Sequence, residues 1–326
     1  MDDALGNVND PNYTYPSFPN VSKHYDNVSE DMSSHDPSDD ERDVSFRTNF
    51  ITVTFFTEVV ISVFGTLGNG VVIWFLGFCI ERNPFSTYIL NLAIADLGVL
   101  LSVPVNTFSL WFTSIPSSDE ISLVSQYLAL LMYSASQFLL TAISIDRCVA
   151  VFFPLWHRCK RPPHLSTVVC ALIWVLSFLL TSISYVLIFL NLNETTTIGD
   201  SYQLIANAVL CLPVMTIATV SLFIRVFLKA GQHRRGRLLT IVLLTLLFFL
   251  LFAFPYNVMK VLSDHNYVPE YTTFVTGVLA CLNSSVNPVI YFLVGRRWKS
   301  RRRESVKMIL QKVFKEEKGY TDETPV

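Results

Sequence analysis

The 326-residue chain is 51% hydrophobic and only 15% charged, and its mean hydropathy of +0.43 means more apolar surface than one water-soluble core can bury. A soluble globular enzyme is thereby excluded as the leading class. The net charge of -2 conceals a split, because residues 1–46 carry eleven acids against Lys23 and Arg42 while residues 296–318 carry ten basic residues. Such an asymmetry reads as membrane topology and argues against a nucleic-acid partner.

In chain order, residues 1–46 have no cysteine and little apolar content, which predicts a disordered acidic tail. Seven apolar runs follow at about 50–78, 85–112, 121–153, 165–190, 203–228, 238–262 and 271–294. Each is long enough to cross a bilayer as a helix, at roughly 20 residues per crossing. The connecting segments are short, and no internal repeat of the transporter kind is visible. The predicted fold is an all-α membrane protein, one seven-transmembrane helix bundle over 47–295, followed over 296–326 by a short amphipathic cytoplasmic helix and tail.

Basic loops stay in the cytoplasm. Arg82 follows the first run, Arg158, Lys160 and Arg161 the third, Lys229, Arg234, Arg235 and Arg237 the fifth, and the terminal cluster the seventh. The amino terminus is therefore expected outside a plasma-membrane protein. Asn12, Asn20, Asn27 and Asn193 all head Asn-X-Ser/Thr glycosylation sequons on that outer side. Asn283 also matches the pattern but lies inside the seventh run. With no apolar core in residues 1–45, the first run is expected to direct insertion itself.

Polar residues inside apolar runs carry the information, since a charge at the bilayer centre costs about 2.5 to 3.5 kcal/mol on insertion scales. Asp96 is the clearest case, either as a carboxyl hydrogen-bonded within the core or as an ion or proton site. Asp146-Arg147-Cys148 closes the third run before Pro154 and a basic loop, and taken alone is an ordinary helix-end ion pair. In the seventh run, Asn283, Ser284, Asn287, Pro288 and Tyr291 stand together, and Pro288 removes one backbone donor and frees an upstream carbonyl.

Taken together, Gly68-Asn69, Leu92 to Leu97 around Asp96, Asp146-Arg147-Cys148, Trp174, Pro213, Pro255 and Asn287-Pro288 through Tyr291 resemble the rhodopsin-like G protein-coupled receptors across all seven runs. Arg82 to Phe85, Leu140 to Ser144, Arg147-Cys148, Phe153 to Trp156, Arg161-Pro162 and Tyr291 to Gly295 resemble the Mas-related group within them. The resemblance implies a receptor that binds a ligand outside and opens a cytoplasmic cleft to a heterotrimeric G protein. It implies that Asp146 holds Arg147 at rest, that Arg147 engages the G protein when active, and that Asn287, Pro288, Tyr291 and Pro255 belong to the segments that rearrange. It also implies that Asp96, Ser136, Asn283, Ser284 and Asn287 converge on a structural sodium ion, all five offering oxygen ligands; no other cofactor is implied.

The chain departs from the wider receptor pattern at three places. Ala253 stands where many such receptors have a pocket-floor Trp, Ser221 where many have a Tyr that meets the activated Arg, and Arg235 where some have an acidic latch. Ala129 replaces the Asp of amine receptors, and Cys281 the retinal Lys of visual pigments. A small biogenic amine and an opsin role are therefore disfavoured. None of the six cysteines lies in an outer loop, so no outer disulfide is expected.

The expected outer surface is acidic, with Asp119, Glu120, Glu194, Asp200, Asp264 and Glu270, and Lys260 is its one loop-adjacent base. Such a field concentrates cations. With Glu58, Gln126, Tyr133, Tyr256, Asn257 and Tyr271 as further pocket candidates, a cationic peptide is the expected ligand, and an anionic lipid held by Lys260 the alternative. Beyond the last run, Trp298, Val306, Ile309, Leu310, Val313 and Phe314 share a helical face amid basic residues, which predicts contact with anionic membrane lipids. The terminal Thr324-Pro325-Val326 is read as solvated tail. Two other classes remain open at this stage: a seven-span binding protein with weak or no signalling, favoured by Ala253 and Ser221, and a transporter. No nucleophile triad, phosphate loop or metal-ligand spacing supports an enzyme.

Overall fold

The computed structural model describes residues 37–80, 83–111, 118–189, 197–228, 236–264 and 272–295. Among the described residues there is no strand, and eight α-helices follow in order: α1 Pro37–Trp74, α2 Pro84–Trp111, α3 Ser118–Phe152, α4 Pro154–Cys159, α5 Leu165–Phe189, α6 Thr197–Leu228, α7 Gly236–Asp264 and α8 Thr272–Gly295. A single π-helical stretch, Phe75–Cys79, follows α1. Six stretches are long and apolar enough to cross a membrane: Ser45–Cys79, Pro84–Leu110, Glu120–Phe152, Leu165–Val186, Gln203–Arg225 and Phe274–Leu293. The remaining expected span is α7, whose 29 residues reach about 43 Å at 1.5 Å per residue, well over one bilayer core. The expected cytoplasmic helix over 296–326 lies outside the described residues.

The chain divides at Ser45 into two units, Met1–Ser45 and Phe46–Val326. The tail expected over 1–46 overlaps the start of α1, which begins at Pro37; residues 1–36 lie outside the described residues. The sequence explains that start locally. Pro37 is preset for the first helical position.

In the second unit the start of α2 is fixed by a reciprocal cap. The Ser86 amide donates to Asn83 Oδ1 at 2.6 Å, while the Asn83 amide donates to Ser86 Oγ at 2.8 Å, and Pro84 fills the position whose amide would be orphaned. At the far end of α3, the chain breaks at Phe153 and restarts with Pro154 at the head of α4.

α3 is the central helix, touching α2, α4, α5, α6 and α7. It supplies Tyr133, Ala135, Leu139, Leu140 and Ile143 to the core, which Leu92, Ala95 and Val99 of α2, Leu204, Cys211 and Met215 of α6, and Phe249 and Ala253 of α7 complete. The outside is apolar instead: Phe64, Leu67, Val124, Leu172, Phe178, Val209 and Ile217 are all exposed. Glu58, Asp96, Gln137 and Asn207, by contrast, have no exposed surface at all. Polar groups inside and large apolar groups outside are what a lipid solvent demands.

α1 docks on α8 through small residues. A Cβ added at Gly65 would lie 2.8 Å from Leu100 and from Ser285, and one at Gly68 would lie 3.0 Å from Pro288. The missing side chains let the two backbones approach closely, as small residues do at membrane helix contacts. That approach lets Asn69 Nδ2 donate to the Ser284 carbonyl at 3.1 Å and to the Gly65 carbonyl at 3.0 Å. Ser284 stands four residues before Pro288, so its carbonyl is the one that the proline deprives of a helical donor. Asn69 therefore supplies across helices the hydrogen bond that Pro288 removes.

Candidate functional site

Among the described residues, two of the polar clusters contain sequence-predicted site residues, one near the middle of the bundle and one at the end of α3. In the first, α2 presents Asp96, α3 presents Ser136 and α8 presents Asn287. The Ser136 hydroxyl donates to Asp96 Oδ1 at 2.8 Å, and Asn287 Nδ2 donates to Oδ2 at 2.7 Å. Ser284 lies close enough to act on the same carboxylate, although its buried hydroxyl completes no hydrogen bond. Asn283 is also buried, and its Nδ2 has no partner. One carboxylate is thus tied to two other helices, with further oxygens close by. Beside it, Trp174 Nε1 of α5 donates to Asn91 Oδ1 of α2 at 3.0 Å.

At the Arg147 end, Asp146 is gripped from both sides. Arg147 Nη2 meets Oδ2 at 2.5 Å, and Arg161 Nη2 meets Oδ1 at 2.8 Å, with His157 Nε2 at 3.8 Å from the same oxygen. Arg161 is itself fixed, since its Nη2 donates to Ser166 Oγ of α5 at 2.6 Å and its Nη1 lies 2.6 Å from His157 Nε2. The Arg147 guanidinium covers the Phe85 ring of α2, 4.4 Å from its centroid. Asp146, Arg147 and Arg161 expose only 7–8% of their side chains, so salt screens the cluster far less than it would a surface pair. Two guanidiniums, each on its own oxygen, orient the carboxylate and hold Arg147 in a retracted position.

The family model of the 7 transmembrane receptor (rhodopsin family) matches residues 68–291. Rat Proto-oncogene Mas is 33% identical over 279 residues, covering 82% of this chain and 85% of that protein. Mouse Mas-related G-protein coupled receptor member A6 is 36% identical over 299 residues, 87% of this chain and 95% of that protein, and mouse member A1 is 34% identical over 267 residues, 79% and 88%. The chain belongs to the Mas-related receptors of the rhodopsin family. It is a multi-pass membrane receptor, and the family is not enzymatic.

In this Mas-related receptor Asp96, Ser136 and Asn287 are brought together by the two hydrogen bonds on the Asp96 carboxylate. Pro288 and Tyr291 are buried in α8, Pro255 lies within α7, and Ala253, in place of a pocket-floor Trp, has no exposed surface. Arg235, which stands where some such receptors have an acidic latch, lies outside the described residues. All six cysteines are free.

The pocket candidates do not form one cluster. Tyr133 of α3 packs against Tyr256 of α7 with ring centroids 4.3 Å apart and planes tilted by 50°, and Asn257 is buried beside Tyr256 in the chain with neither amide atom hydrogen-bonded. Glu58 is buried against α2 and α8 instead. Gln126 and Lys260 are half-buried, and Asp200 belongs to α6 with no side chain described. Glu194, Tyr271 and the sequon residues Asn12, Asn20, Asn27 and Asn193 lie outside the described residues.

Sequence reasoning missed a second buried network in this receptor. Gln203 Nε2 of α6 donates to Ser134 Oγ of α3 at 2.8 Å and to Thr181 Oγ1 of α5 at 2.9 Å, and Ser184 Oγ donates to Gln203 Oε1 at 3.3 Å. Asn207 Nδ2 donates to Ser134 Oγ at 2.6 Å. Gln203 and Asn207 stand four residues apart in an apolar run, a one-face signal that helical periodicity could have flagged. Arg161, also missed as a partner of Asp146, carries no comparable signal, because its approach depends on the turn after α4.

Proposed function

We propose that this receptor converts the binding of an extracellular cationic ligand, a basic peptide by preference, into activation of a heterotrimeric G protein, from the plasma membrane with its amino terminus outside. The observation that carries the reading is the double grip on Asp146 at the end of α3. Arg147 is retracted and buried, so it becomes available to a partner only after the grip is released. The basic residues of the neighbouring loops support assigning this end to the cytoplasm. Acidic residues of the opposite loops and the amino-terminal sequence favour a cationic ligand. Driving a receptor from 1:99 to 99:1 active requires about 10⁴-fold preference for the active state, about 5.5 kcal/mol, so ligand contacts must differ between states rather than merely be strong.

The middle cluster fits a sodium ion in its donor set: the Asp96 carboxylate, the Ser136 hydroxyl, the Asn287 and Asn283 amide oxygens, and the Ser284 hydroxyl, which lacks a hydrogen-bond partner. These residues would hold the ion and tie its occupancy to the packing of α2, α3 and α8. Residues 296–315 are proposed to lie on anionic lipid of the inner leaflet.

The test is nucleotide exchange on purified G proteins, stimulated by a library of basic peptides. Stimulation in the wild type, lost in surface-expressed Arg147→Ala, is the expected result. Binding without exchange on any G protein would replace this reading with a non-signalling binding protein, and activation by anionic lipids alone, lost in Lys260→Ala, would replace the ligand class.

A further inference from the structure

Glu58 is the most costly unexplained group in the bundle. It has no exposed surface, and neither carboxylate oxygen has a hydrogen-bond partner. The Thr107 hydroxyl of α2 is close enough to act on it without completing a hydrogen bond. No lysine, arginine or histidine among the described residues pairs with it. An ion so placed loses several kcal/mol of solvation that nothing in the protein restores.

α8 packs directly against that carboxylate without pairing it. A Cβ at Gly277 of α8 would lie 2.1 Å from Oε1 and 3.3 Å from Val103 of α2, so any side chain there would occupy the carboxylate's own niche. One turn further along α1, the Ser62 hydroxyl is engaged with Cys281 Sγ at 3.4 Å. Thr107 is four residues from the end of α2 and Gly277 five from the start of α8, so the niche lies near the ends of these helices. Arg147 sits at the opposite end of the bundle, as the inner and outer ends of successive spans alternate.

We infer that the niche between α1, α2 and α8 receives one primary ammonium or guanidinium group of the ligand, with Glu58 as its counter-charge. The inference rests on the cationic-ligand reading and gives that reading an anchor. A metal ion fits poorly: hard cations take several oxygens, whereas the neighbours of Glu58 include Val103, Gly277 and the Cys281 sulfur, and Thr107 brings one hydroxyl. An alkylammonium or alkylguanidinium needs only the carboxylate for its charge and brings methylenes that suit Val103. The charge point also differs from that of amine receptors, whose α3 aspartate is Ala129 here.

The test uses the full-length receptor in lipid nanodiscs, with thermal unfolding followed against n-butylammonium and n-butylguanidinium and with n-butylurea and sodium at matched ionic strength as controls. The wild type is expected to be stabilised saturably by the two organic cations and not by the controls. Glu58→Gln, which keeps the shape, should weaken the apparent affinity about 30-fold or more, the scale for removing one member of a buried charge pair. Gly277→Ala closes the niche from the opposite wall and should give the same loss if Glu58→Gln does not fold. Equal stabilisation of wild type and Glu58→Gln, or no saturable response in the wild type, overturns the inference. The peptide screen separates the two readings. Basic peptides that activate Glu58→Gln as well as wild type overturn the Glu58 anchor alone. If no basic peptide activates the wild type while butylammonium still binds through Glu58, the peptide reading falls and the niche stands.

Discussion

Removing Arg161 tests whether the resting state is held by one arginine or two. Asp146 offers Oδ2 to Arg147 at 2.5 Å and Oδ1 to Arg161 at 2.8 Å. Because the two guanidiniums use different oxygens, Arg161 does not compete with Arg147. It orients the carboxylate so that Oδ2 stays aimed at Arg147, and it is braced in turn by Ser166. In Arg161→Ala the carboxylate keeps only Arg147 and a His157 nitrogen 3.8 Å away. A hydrogen bond to a charged group is worth about 1.5 to 3 kcal/mol, and the cluster is nearly water-free. If the active state lacks this contact, the active-to-resting ratio should rise about 10- to 100-fold, at roughly 1.4 kcal/mol per factor of ten. The assay is agonist-free nucleotide exchange, normalised to surface-expressed receptor. Asp146→Asn should raise the same baseline, and Arg161→Ala combined with Asp146→Asn should fall short of the sum, because both act on one network. A baseline in Arg161→Ala equal to wild type, with Asp146→Asn elevated, would refute the two-arginine grip. So would additive effects.

Three further outcomes follow from the buried contacts. Asn69→Ala leaves the Ser284 carbonyl without its interhelical donor and should cost about 1 to 3 kcal/mol, read as a lower unfolding temperature in detergent. Ser134→Ala should cost less, because interhelical hydrogen bonds in membranes average about 0.6 kcal/mol and the Gln203 amide keeps Thr181; a loss above that of Asn69→Ala would reverse the ranking. Asp96→Asn should abolish any difference between sodium and a bulky organic cation in agonist affinity, and an identical response to both cations already in the wild type would remove the ion from the middle cluster.

The sequence made the helix number legible because seven runs of lipid-compatible length leave few alternatives. It also grouped Asp96, Ser136 and Asn287, though only through the family resemblance. Periodicity places Asp96 on a face of α2 but does not say which helix that face meets. The same limit explains the misses. Gln203 and Asn207 share a face of α6, yet their partners Ser134, Thr181 and Ser184 become visible only once α3, α5 and α6 are assembled. Arg161 is further out of reach, since its position depends on the break at Phe153 and the turn after α4, which a run of mixed basic and proline residues does not encode by period. The helical start at Pro37 was missed for a different reason: acidic composition was read as disorder, although a proline is also preset for the first helical position.

The bond from Asn69 to Ser284 divides α8 mechanically. Cys281 and Ser284 of α8 are fastened to α1, whereas Asn287, next to Pro288, is fastened to Asp96 of α2, and the remainder runs on toward Gly295 beyond these ties. A bend at Pro288 therefore swings the terminal segment about a pivot whose stationary arm is α1. Such a stroke can break the Asn287 contact and move Tyr291 while the Glu58 niche keeps its shape, so the ends of α8 can answer to different signals.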